Sequence, residues 1–192
     1  MLPVARALTG CQSPKAGHPF ESNAAQQATR SDCYRWLHHL LNEQKDIGAL
    51  RLIEREHSDV QNLIKTIATF SGAGSKLLEE VAKLDPSIDL DGIRLQLGEA
   101  ALSGGIASTK EKQLSSQTGD DFELTLLLSQ TETLSNAWHL AKVAGENESQ
   151  PDRTRALAGI SEDMRNLHQE VFVMLLAKAK SLARDWAGRL GA

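Results

Sequence analysis

Glu54 and His57 stand three residues apart in the stretch LIEREHSDVQNLI, residues 52–64. On a helix, Glu-x-x-His projects both side chains from one face. Helical bundles that hold two metal ions use the pair twice, with carboxylates bridging the metals and each imidazole completing one coordination sphere. Iron or manganese would be the ion, with Glu54 and His57 as first ligands. The rest of that constellation is missing from the chain. Arg165, Asn136 and Trp36 stand three residues before His168, His139 and His39, so the second Glu-x-x-His is absent. Glu79, Glu80, Glu132, Glu162 and Glu170 supply carboxylates elsewhere, but Glu132 falls off the apolar stripe of its segment. His57 also sits where a helix is expected to end, an ordinary place for an imidazole beside the last carbonyls. The same stretch has a second reading. Ser58 followed three residues later by Gln61 has the spacing of a capping box, which starts a helix. The residues favour a joint between two helices with no cofactor, and iron or manganese bound through Glu54 and His57 stands as the alternative.

Other chemistry is thinner. SGAGSK, residues 71–76, has the glycines of a phosphate loop but neither the G-x-x-x-x-G-K-[ST] spacing nor a preceding strand. Its small residues fit a close approach of helices. Cys11 and Cys33 form no C-x-x-C and no Cys/His cluster, which removes a structural zinc site. Cys33 is expected to be a partly buried bystander. No nucleophile turn is recognisable, so no catalytic residue is assigned. Trp36 and Trp186 lie near expected helix ends, where packing is the favoured reading and an exposed face serving a partner is the alternative.

Four amphipathic segments would have to position any such site. From Tyr34 onward, Leu37, Leu40, Ile47, Leu50 and Ile53 recur at helical spacing, with Gln44 the polar member. This predicts a first helix over roughly 32–56, with Asp32 as its N-cap. Val60, Ile64, Ile67, Phe70, Leu77, Val81 and Leu84 predict a second over 59–84, ended by Asp85-Pro86. Residues 86–119 read as a long crossover containing a helical piece near 98–116. Asp120-x-x-Glu123 has capping spacing, and Leu124, Leu127, Thr131, Leu134, Trp138 and Ala141 follow in steps of three and four, predicting a third helix over 121–146. Trp138 is placed in the core. Pro151 then opens a fourth and longest helix to 188, carrying Leu157, Ile160, Met164, Leu167, Val171, Leu175, Leu182 and Trp186. Stripes on helices of matched length bury against one another, so the expected fold is all-α, an antiparallel four-helix bundle with a long crossover between its second and third helices.

The totals narrow the function. The chain has 192 residues, 41% hydrophobic and 4% aromatic, enough for one helical domain. A formal charge of −4 without a basic cluster argues against nucleic acid as a partner. The locally basic AKAKSLARDWAGRL complements a helix C-terminus. No run approaches a membrane span. Residues 1–31 read as a disordered N-terminal arm and 32–192 as the bundle. Within the arm, LTGC, residues 8–11, matches the lipobox of bacterial lipoproteins, and the polar stretch after it is similar to their tethers. As written, too few apolar residues precede Cys11 for a signal peptide, which gives a cytoplasmic chain. A start further upstream would instead make Cys11 a lipidated membrane tether on an exported, periplasmic protein.

The run LRLIEREHSDVQNLIKTIATFSGAGSKLLEEVAKL and the later STKEKQLSSQTGDDFELTLLLSQTETLSNAWHLAKVAGENESQPDRTRALAGISEDMRNLHQEV resemble a bacterial family of exported, ferritin-like bundle proteins of unknown function. The likeness spans roughly residues 45–175 and rests on Ser58-Asp59-Val60, on Leu77 to Leu84 and on Leu114 to Glu123. It implies a ferritin-like bundle and export. The family tends to carry histidines late in its second helix and in its third. Phe70, Ser71 and Glu132 stand near those points here, which implies that anything bound there is lost. The function expected is that of a non-catalytic helical bundle, envelope-associated or acting as an interaction module. A ferritin-like metal-binding protein or oxidase, and a subunit of a larger assembly joined through the fourth helix as a homo-oligomer or with another protein, are the alternatives.

Overall fold

His57 is extended, with φ −61° and ψ 144°, and helix begins at Ser58, so the second helix starts at the expected joint, while the first ends at Lys45 and not near the predicted 56. The structure, a computed structural model, describes residues 19–47, 57–91, 117 and 119–190. Four helices form there and no strand: α1 (Pro19–Lys45), α2 (Ser58–Leu84), α3 (Asp120–Glu146) and α4 (Pro151–Leu190). The fold is all-α, as the periodicity predicted. Glu54, Cys11 and the helical piece near 98–116 lie outside the described residues.

α1 starts well before the predicted position 32. Residues 24–29 are exposed and show no apolar stripe, but Ala and Gln are good helix formers and carry it. Asp32 is therefore inside the helix and is not its cap. It accepts from Arg35 at 2.9 Å instead. Helix ends obey local chemistry. Asp85, extended before Pro86, stops α2, and Pro151 opens α4. Gly119 precedes α3 with φ +63° and ψ −139°, a conformation that only glycine adopts without strain.

Polar contacts fix the order of the helices. Arg30 of α1 meets Asp85 after α2 and Glu148 between α3 and α4, while Arg153 of α4 meets Asp85. These define one end of the bundle, hereafter the Glu148 end. His57 before α2, Glu123 of α3 and Lys178 of α4 meet at the other, the Glu123 end. α1 and α4 therefore run one way, α2 and α3 the other. α1 packs on α2 and α3, and α4 packs on α3 and more thinly on α2. Since α2 finishes at the Glu148 end and α3 starts at the Glu123 end, the chain crosses the length of the bundle between them.

The core holds Tyr34, Leu37, Leu41, Ile64, Ile67, Leu78, Phe122, Leu127, Leu134, Leu157 and Met164, all fully buried. Two stripes are turned relative to the sequence reading. In α2, Phe70 and Leu84 are exposed, and Ser71, Gly74, Ser75 and Leu78 face inward. A Cβ on Gly74 would lie 3.0 Å from Leu41 Cδ1 and 3.8 Å from Ile160 Cγ1, so α2 comes too close to both neighbours for a large side chain. In α3 the buried line is Glu123, Leu127, Gln130, Leu134, Ala137, Ala141 and Ala144. Trp138 is only partly buried, at the margin of the core and next to His139 and His168. Small alanines bring α3 close to α4, and the indole is displaced to the side.

Candidate functional site

His57 is brought to two carboxylates, Glu123 and Asp120. Its Nδ1 lies 2.9 Å from Glu123 Oε1, and its backbone N–H donates to the same oxygen at 2.8 Å. Asp120 completes a group in which one ligand atom from each residue lies within 4.8 Å of the others. Among the described residues this is the one such cluster.

Each participant is placed by its helix terminus. The α2 cap residue is His57 itself, with no side-chain cap bond of its own, so the predicted Ser58–Gln61 box does not close the helix. Ser58 is the first helical residue. The backbone bond that the third helical residue of a capping box would accept is taken by Glu123 from another helix. Glu123 in turn does not reach back to its own helix start, where Gly119 is the cap. It sits one turn into α3, and its side chain is fully buried against the start of α2.

The charge balance is decided by Lys178. Its ammonium forms an ion pair with Glu123 Oε2 and stands 3.5 Å from His57 Nδ1. Burial alone would push the Glu123 carboxyl up. The bond from Lys178, followed by the His57 backbone and ring, outweighs it and holds the group below its ordinary value. A divalent cation bound by His57, Asp120 and Glu123 would have to displace this ammonium. The donor set fits a metal, but its buried carboxylate is already neutralised by the chain.

The remaining sequence candidates do not converge on His57. Glu79 pairs with His38 at 3.4 Å and Glu162 with Arg165 at 3.8 Å, while Glu80, Glu132 and Glu170 are exposed on separate faces. Cys33 is buried, and burial followed by the neighbouring Asp32 raises its thiol, the reverse of activation. Trp36 is half-buried within α1, and Trp186 is exposed.

No protein-family model, curated protein or solved structure matches this chain.

A second polar group, at the Glu148 end, was not anticipated from the sequence. The Glu148 side chain is fully buried and accepts from Tyr34 Oη at 3.0 Å and Arg30 Nη1 at 3.5 Å, with Arg153 Nη1 at 3.8 Å. It also accepts from the backbone N–H of Ser149 and Gln150 at 2.8 and 3.0 Å, which satisfies amides at the start of α4. Asp85 takes Arg153 at 2.5 Å, and its carboxyl is held at about 2, first by the Ser87 hydroxyl and then by Arg153. The Tyr34 phenol is pushed above its usual value, by burial first and by Glu148 second. Two arginines face two carboxylates, so this group is a neutral clamp holding all four helices. The clue was a polar set, Arg30 and Tyr34 one turn apart and Glu148 in the turn before Pro151, yet its members are far apart in the chain.

Proposed function

We propose that the protein is a non-catalytic helical bundle acting as an interaction module, with its contact surface on the C-terminal half of α4. The exposed apolar residues there carry this reading: Phe172, Val173, Leu176 and Trp186 are 46, 67, 43 and 64% exposed on one helix. α4 has 40 residues against 27 in each of the other helices, so about 18 Å of it continues past Lys178 beyond the Glu123 end. Large apolar groups concentrated on one element mark a place where another molecule is covered. The polar clusters at both ends support the non-catalytic part, because their buried charges are neutralised within the chain rather than held ready for a substrate.

Photo-crosslinking in the native host tests the surface. A benzophenone side chain at Leu176 is expected to trap a protein, while the same group at exposed Glu80 traps none. Equal yields at both positions, or none at Leu176, would overturn the reading. Association with the cell envelope would add a lipid on Cys11, visible as a mass increase on the N-terminal peptide.

A second reading is favoured by the His57, Asp120 and Glu123 grouping together with the single crossover, which suits a ferritin-like bundle. In it the cluster takes iron or manganese in place of the Lys178 ammonium. Metal analysis of protein from iron- and manganese-supplemented cells tests it, and a stoichiometric ion would move the function to metal binding.

A further inference from the structure

The exposed face of α4 that borders the open groove towards Asp59, Asn62 and Thr66 of α2 carries a second line of residues at bundle spacing. Asn166, Glu170, Val173, Ala177, Lys180 and Arg184 follow in steps of four, three, four, three and four, and all six are exposed. Among the described residues Glu170, Lys180 and Arg184 make no ion pair, although Arg155, Arg165 and Lys142 on the neighbouring surface all do. A helix face with steps of three and four is the seam of a helix pair. This seam is not uniform. An acid lies towards its N-terminal side, two apolar residues form its centre, and two cations lie towards its C-terminal side.

Such a face is complementary to itself when turned end over end. We infer that it is where a second copy of this chain binds, α4 against α4 in antiparallel sense about a two-fold axis. In antiparallel pairing the two kinds of seam position alternate across the interface. The register that sets Val173 against Ala177 of the second copy also sets Glu170 against Lys180 and Asn166 against Arg184. A two-fold axis makes each pairing occur twice. One register thus satisfies the layer geometry, the size match of valine to alanine and the charge match together. A parallel pair would place Lys180 on Lys180 and Glu170 on Glu170. Beside the seam, Leu176 widens the apolar centre. Glu123, His57 and Lys178 take no part, because Lys178 points into the bundle.

This inference rests on α4 being the contact surface and names its partner. With four to six layers the interface is small, so the dimer is expected to depend on concentration. Sedimentation velocity on the purified full chain, from about 1 to about 200 µM, is expected to show a shift from monomer towards dimer. Glu170→Lys alone and Lys180→Glu alone should each weaken the association at least tenfold, since each creates two like-charge contacts. The double variant should restore it to within about threefold of the original. Circular dichroism melts guard against misfolding, and these exposed positions are expected to leave Tm unchanged. A chain that stays monomeric at about 200 µM overturns the second copy, while a crosslink at Leu176 to some other protein would still leave the α4 surface standing. A dimer that ignores both charge changes but is lost in Leu176→Glu overturns this register and keeps the surface.

Discussion

At the Glu148 end of the bundle, one buried carboxylate accepts from a phenol, from an arginine and from two backbone amides, and a second carboxylate shares another arginine with it. At the Glu123 end, one buried carboxylate meets a lysine, an imidazole and one backbone amide. Both ends lock helix termini with a charge removed from water. They differ in redundancy. Removing one partner at the Glu148 end leaves further donors around the same oxygens, whereas among the described residues Lys178 is the one lysine or arginine on Glu123. The lesson is that a buried ion pair stabilises according to what remains when one member is lost, more than through the pair's own attraction.

The comparison can be broken at its strongest point first. Glu148→Ala leaves Arg30 and Arg153 facing Asp85 alone, strips the acceptor from Tyr34 and opens the start of α4. A cost of about 3–5 kcal/mol is expected, read as a fall in Tm on the order of 10 °C. Lys178→Met should cost less, about 2–3 kcal/mol, because the His57 contacts still reach Glu123 and the site lies near the end of the bundle. The double change Glu123→Leu with Lys178→Met should lie within about 1 kcal/mol of the natural chain, since a well-packed apolar pair replaces a buried ionic one at little net cost. A double variant as unstable as the sum of its single changes would show that the Glu123 end is not an isolated pair.

The two ends also differ in pH response. The folded-state value of Asp85, about 2, lies below its ordinary range, so its contribution is present above pH ~4 and is lost as pH falls towards 2. Glu123 is depressed as well and adds loss in the same direction. Melting curves from pH 5 to pH 2 should therefore fall less steeply in Asp85→Asn than in the natural chain. Tyr34 works oppositely. Its folded-state value is raised, so its contribution is full below pH ~10 and is lost as pH rises beyond it. It is the single tyrosine of the sequence, so absorbance at 295 nm reports it alone. No tyrosinate signal is expected at pH 10.5 while the chain stays folded. The smallest effect expected is that of His57→Ala, no more than about 0.5 kcal/mol by thermal melting, because the ring is 66% exposed and the backbone bond to Glu123 survives.

Helix existence was legible in the sequence because it rests on local signals. Asp85-Pro86 and Pro151 marked ends that the structure keeps, and the third helix differs by one residue at its start. Facing was less legible. The buried line of α3 runs through Glu123, Gln130 and three alanines, and α2 turns Ser71, Gly74 and Ser75 inward. A stripe counted from large apolar letters misses contacts made by small residues where helices come closest. α1 was shortened for a related reason, since its first turns have no core to face. The site was the least legible. His57 could be singled out, but Glu123 looked like a helix start and Lys178 like a helix-end cation. Only tertiary packing makes them partners. One hint was present: Val171, Leu175 and Leu182 flank Lys178 at core spacing, and a cation on such a line requires a buried anion opposite.

The Lys178 tie also acts as a fulcrum. A rod pinned there acts as a lever, and its outer span presents Lys180 and Arg184 to solvent. Brief trypsin treatment should clip that span first and leave a resistant body, and pairing of two such rods would slow the cut.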